Sequence, residues 1–232
     1  MASRLVTSEG VTERVPLPDL YRSTRVRLTE FLRATQLADD CAVPATPGWT
    51  VHDVVAHLSG LAQDLAEGEF PVNGPTDAWT AGHVQRGRGI STEELLAHWE
   101  RCSPAVEVIL EKATIWPLVL DAAAHEHDIR GAVGDIGARD CPVVHIGAAV
   151  LLKALQVPEP LIVETEQREV RVGPTETGAK PTRLITSDFE AFRWRLGRRS
   201  RQQLAAMRWS SEPTPYLDHL CVFGPAQHDV EE

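Results

Sequence analysis

Three side chains in this chain of 232 residues have the types and spacing to hold a metal ion. In WPLVLDAAAHEHDIRGAVG, Asp121, His125 and Asp128 recur at i, i+4 and i+7, and a helix of about 3.6 residues per turn puts them on one face. Leu118, Ala122, Ile129 and Ala132 stand beside that polar spine at helical spacing, so the face turns toward the core. In GWTVHDVVAHLSGLAQDLAEG, His57 lies inside the apolar stripe Val54, Leu58, Leu61 and Leu65 and points inward as well. Polar groups left unpaired in such an interior cost on the order of 1–3 kcal/mol each. A divalent cation removes those costs together, and His57, Asp121 and His125 are read as its three ligands. Simpler partners exist for each alone. An inward histidine is often satisfied by a carbonyl or carboxylate, and Asp121 with His125 would make an ordinary i, i+4 helix pair.

The segment GWTVHDVVAHLSG resembles the GW-T-x-x-D-x-x-x-H-L block of the mycothiol-dependent maleylpyruvate isomerase-like proteins of actinobacteria, and HEHDIRGAVG is similar to that family's second block. The likeness continues in PTDAWTAGHVQRGRG and FRWRLGRRS. The resemblance implies a DinB-like metal-binding helical bundle followed by a small C-terminal α/β domain. It also implies the ligand set, carried over as His57, Asp121 and His125. The family's best-known member has glutamate where this chain has Asp121, so the shorter side chain calls for a closer helix. Zinc is the metal the resemblance favours, although two histidines and a carboxylate also suit nickel or iron(II).

Three protein ligands leave a coordination position open, which marks catalytic rather than closed structural sites. Cys41, Cys102, Cys141 and Cys221 fall in no nucleophile motif. A thiol arriving on a small molecule fits that absence, and the resemblance implies mycothiol as cosubstrate for an isomerase or thiol transferase acting on a small electrophile. A non-catalytic metal-binding module and a metal-dependent hydrolase without thiol remain the alternatives. Arg86 and Arg88, with Arg198 and Arg199 near the C-terminus, are candidates for a substrate carboxylate, which arginine grips with two parallel bonds. Asp128 returns toward the site, to orient a ligand or to pair with Arg130 or another base. Glu126 and His127 face elsewhere on the helix, as solvated or interdomain side chains. Asp53 is either a partner of His57 or a helix N-terminal charge. Cys141 and His145, four apart, offer a weaker metal pair with no third ligand in view.

The elements that must position these groups give an α+β fold, mainly α: a four-helix bundle over residues 1–155 and a small α/β domain over 156–232. Helices are expected from about Pro18 to Gln36, with Leu20, Val26, Leu28, Phe31 and Leu32 inward. The next runs from Thr50 or Asp53 to Gly68, and another starts at the Ser91/Glu94 capping box and is kinked at Pro104. The fourth spans about Pro117 to Gly134. EFPVNGPTDAWTAGHVQRGRG reads as a long loop that covers the site. VVHIGAAVLLKALQ gives a further helix, LIVETEQREVRVG a hairpin, RLITS a strand, and Asp188 caps the helix DFEAFRWRLG. The end from Pro213 reads as a short helix and a frayed acidic tail.

A net charge of −10 argues against a nucleic-acid surface, the arginine cluster RWRLGRRSR apart. The amino-terminal stretch has no apolar run behind its early arginine and AAVLLKAL is too short to span a bilayer, so a cytoplasmic protein is expected, as a monomer or weak homodimer.

Overall fold

The computed structural model describes residues 16–71, 74–175 and 180–232; the amino-terminal stretch before Pro16 lies outside them. The first part of the chain forms helices α1 (Leu17–Thr35), α2 (Val51–Glu67), α3 (Asp77–Gly87), α4 (Thr92–Lys112) and α5 (Trp116–Ala132). Of these, α1, α2, α4 and α5 make the expected four-helix bundle. Local chemistry sets its ends. Thr50 and Asp53 form a capping box at the start of α2, which settles the role of Asp53, and Gly68 closes that helix in the left-handed region. Ser91 and Glu94 do the same for α4, which runs unbroken through Pro104.

Two expectations about the bundle need correction. Val26 is exposed, because Tyr21, Thr24 and Leu28 take the inward positions of α1. The stretch 69–89 is not all loop. Thr76 accepts a hydrogen bond from the Trp79 amide and starts α3, which packs against α2.

Helix α5 has no solvent face. Every residue from Leu118 to Arg130 is buried except Asp121, because α1, α2 and the following α6 (Pro142–Lys153) pack around it. Neither Glu126 nor His127 is therefore solvated: Glu126 is paired within the bundle, and His127 meets side chains from beyond residue 155, the interdomain placement. The Glu126 carboxylate takes Arg27 at 2.6 Å and Arg130 at 3.2 Å, while His127 lies edge-on to Phe189 and Phe192.

Beyond α6, strands β1 (Leu161–Glu164), β2 (Glu169–Val172) and β3 (Thr182–Ile185) precede α7 (Asp188–Arg195), α8 (Arg201–Ala205), β4 (Arg208–Trp209) and α9 (Thr214–Leu217). The sheet order is β2-β1-β3-β4, with β1 antiparallel to β2 as the expected hairpin and parallel to β3. Buried side chains of β1, β3 and α7 join those of the bundle in one continuous apolar cluster, with α6 against α7 at the junction. Ser187, not Asp188, caps α7. The Asp188 carboxylate is instead spent on Arg168 and His145, both at 2.9 Å.

The acidic end is also not frayed. Val230 is buried, and the Glu232 carboxylate pairs with Arg193 and Arg199 beneath the bundle. The arginine cluster points inward in the same way. Arg193 takes Asp128, Arg195 donates to the Leu151 and Leu220 carbonyls, and Arg199 pairs with Glu190. Little of it is left to make a basic surface.

His145 ties α6 to α7, with Asp188 on Nδ1 at 2.9 Å and Asp140 on Nε2 at 2.7 Å. Burial acts to lower its pKa, but the two carboxylates outweigh burial and raise it. A histidine with a raised folded pKa adds stability that is complete below its unfolded value of about 6.5 and is lost as pH climbs through the folded value. The stability gap between wild type and His145→Gln in urea denaturation should therefore be widest in mildly acidic buffer and close in alkaline buffer. A gap that grows toward alkaline pH would count against this clamp.

Candidate metal centre

His57 is on the second turn of α2 and Asp121 and His125 are one turn apart on α5, facing it. The His57 Nε2 atom lies 3.3 Å from Asp121 Oδ2, and His125 Nε2 lies 3.6 Å from Asp121 Oδ1. One ligand atom from each of the three residues falls within 4.8 Å of the others. Tetrahedral zinc with bonds of roughly 2.0–2.2 Å sets neighbouring ligand atoms roughly 3.3–3.6 Å apart, so this donor set needs little movement to close on an ion. Both histidines are buried, while the Asp121 side chain keeps 34% of its surface exposed, which puts the opening of the site on its side. Burial acts to raise the Asp121 pKa, but His57, His125 and Arg198 overcome it and bring it down to about 2. The candidate ligand set thus includes an ionised carboxylate at neutral pH.

The outer nitrogens of the two histidines are held separately. His125 Nδ1 is 2.9 Å from Asp128 Oδ2, and Asp128 in turn receives Arg193 at 2.7 Å and Arg198 at 2.8 Å. His57 Nδ1 is 3.1 Å from His83 Nδ1, and His83 Nε2 is 3.0 Å from Asp64 Oδ2. Burial, helped by His57, lowers the pKa of His83. Trp49 closes one wall, its ring centroid 5.4 Å from that of His57 and 6.0 Å from that of His125. Gly48 makes this possible, because its φ of +86° turns the chain into α2 in a conformation that L side chains rarely adopt.

The arginines divide. Arg198 reaches the site through Asp128. Arg86 is engaged with Asp64 at 2.5 Å, at the far end of the His83 contact, and Arg88 is exposed beyond the end of α3. Arg199 lies with Glu190 and Glu232. His83 and Asp64 escape a sequence reading because their contacts join α2 to α3 across 19 and 26 residues, with no motif spacing between them. The only hint was a histidine in a stretch otherwise taken for loop.

A second trio, His145, Glu166 and Asp188, also brings ligand atoms within 4.8 Å of one another. It does not include Cys141, which sits at the start of α6. Arg168 on Asp188 Oδ2 already supplies a positive charge there.

Residues 21–119 match the family model described as the mycothiol maleylpyruvate isomerase N-terminal domain. The match includes His57 and stops just short of Asp121. Among solved structures, that of the mycothiol-dependent maleylpyruvate isomerase is similar with a TM-score of 0.53 at 16% identity, over 78% of this chain and 88% of that one. A histidine-to-alanine mutant of the same enzyme gives the same values. At that identity the likeness is one of fold. No curated protein matches the chain.

Proposed function

We propose that this chain, whose residues 21–119 match the model of the mycothiol maleylpyruvate isomerase N-terminal domain, is a metal-dependent enzyme that uses mycothiol to isomerise, or transfer the thiol to, a small electrophilic carboxylate. One observation carries the reading. Nδ1 of His125 faces a carboxylate, which can only accept, so that nitrogen holds the proton and the Nε2 lone pair is turned inward. There it meets the ionised Asp121 and the Nε2 of His57, and a pocket of converging acceptors is a cation site. The chemistry of the donor set suits zinc, and nickel or iron(II) next.

A divalent cation at these ligands would supply the Lewis acidity that lowers the pKa of a thiol brought to its open position. The chain's own residues do the rest. Asp121 lies at the open side, so the thiol and its electrophile enter past it. Asp128 holds the His125 proton in place and keeps Arg198 at the edge of the site, where that guanidinium can receive a substrate carboxylate. Trp49 shields the two imidazoles from water where its ring packs against them.

Cobalt substitution tests the proposal. Mycothiol added to the cobalt-loaded protein should produce a thiolate-to-metal charge-transfer band that water and carboxylates do not give. Arg198→Met should leave that band intact while weakening turnover of an acidic electrophile. An unchanged cobalt spectrum at millimolar mycothiol would overturn the thiol mechanism and bring the hydrolase or the binding module forward.

A further inference from the structure

We infer that His83 and Asp64 form a proton-ordering relay that fixes the tautomer of His57, making His83 a positioning residue for the metal centre. The inference rests on the ligand reading above and deepens it. The order follows from what each atom can do. The Asp64 carboxylate only accepts, and it lies 3.0 Å from His83 Nε2, so the proton of a neutral His83 sits on Nε2. His83 Nδ1 is then a lone pair. It faces His57 Nδ1 at 3.1 Å, and two lone pairs cannot meet there, so His57 carries its proton on Nδ1. The remaining lone pair of His57, on Nε2, is turned toward His125 and toward the Asp121 carboxylate 3.3 Å away, acceptors that face one another only with a cation between them. With that cation in place, the Asp64 carboxylate, two imidazoles away, completes the chain of acceptors that the His57 Nδ1 proton needs.

The surroundings are shaped to keep this order. His83 and Asp64 are buried, at 1% and 4% exposure, so water does not compete for either contact. Arg86 neutralises the far oxygen of Asp64. Trp79 stands edge-on to the His83 ring with centroids 4.4 Å apart. On α2, Gly60 leaves the space that His83 fills: a Cβ built there would come within 2.8 Å of the His83 Cβ. His83→Asn keeps an acceptor oxygen where Nδ1 stood, whereas His83→Leu keeps bulk and removes the acceptor. Gly60→Ala changes no relay residue but crowds the His83 ring out of its position.

The test has two readouts. Long-range proton–nitrogen correlation spectra of the zinc-loaded, nitrogen-15-labelled protein at neutral pH report the ring protons, since without the ion the Asp121 carboxylate competes for a proton on His57 Nε2. Wild type should show His57 protonated on Nδ1, with that proton far downfield in a hydrogen bond, and His83 protonated on Nε2. His83→Asn should keep the His57 Nδ1 proton downfield, and His83→Leu and Gly60→Ala should move it upfield or lose it to exchange. Zinc affinity, measured by chelator competition, should fall about 10–100-fold in His83→Leu and stay within about threefold of wild type in His83→Asn. A wild-type His83 protonated on Nδ1 would overturn the relay, as would a folded His83→Leu with an unchanged His57 Nδ1 proton and unchanged affinity. If His83→Leu does not fold, the wild-type and Gly60→Ala spectra and affinities decide. A wild type that binds no zinc would reject the ligand reading, whereas a wild type and a His83→Leu that bind it equally well would reject the relay alone.

Discussion

Alanine at His57, Asp121 or His125 is expected to leave the purified protein with little bound metal, each change weakening affinity by more than the about 10–100-fold that loss of a ligand's supporting partner costs. The reasoning is geometric. With one donor gone, two remain, and those two cannot enclose an ion in competition with water. Elemental analysis of each variant beside the wild type reads the result. Asp121→Glu should behave differently, because the longer side chain still reaches the space between the imidazoles, and most of the metal should stay. Full retention in His57→Ala or His125→Ala would remove the metal centre from consideration. Loss in Asp121→Glu as deep as in Asp121→Ala would show that the carboxylate is not a ligand.

The second large effect is on stability. Asp128→Ala should destabilise the fold by about 3–5 kcal/mol, the range for breaking a buried ion pair and leaving its partner behind. Asp128 and Arg193 are both fully buried, and Asp128 also receives Arg198 and the His125 proton. Burial works against the ionised carboxylate, yet Arg198 and Arg193 hold its pKa well below the ordinary range. Removing it strands the Arg193 guanidinium with Glu232 as its remaining carboxylate. Asp128→Asn retains an acceptor for the His125 proton and should lose less. Urea denaturation compares the variants, and a loss under about 1 kcal/mol for Asp128→Ala would place the network among weak surface pairs.

Legibility followed the range of the interaction. The cap of α4 was readable because a serine and a glutamate three positions on form a closed local circuit, while at α2, where Thr50 and Asp53 close the same circuit, the sequence points to either residue as the start. The approach of Asp121 and His125 was readable for the same reason, being one turn of one helix. Convergence of His57 on them needed the family likeness, since nothing local says which helices face each other. Failures came where tertiary packing overrode a local rule. A solvated or interdomain place is expected for Glu126 because an amphipathic helix has an outside, and α5 has none; His127 does take the interdomain place, against Phe189 and Phe192. Glu232 was assigned to a loose tail because an acidic end looks solvated, while its partners Arg193 and Arg199 lie 39 and 33 residues away. The stretch before α4 hid a helix because α3 has few apolar residues, and His83 came with it.

Trp49 has an optical consequence. An indole packed against both proposed imidazole ligands will have its emission changed by whatever binds between them, and paramagnetic cobalt or nickel will quench it more than zinc. The chain has six tryptophans, and Trp99 and Trp194 are fully buried, so a Trp49→Phe control isolates the responding share. Occupancy of the site is then readable from the protein's own light, without a dye or a substrate.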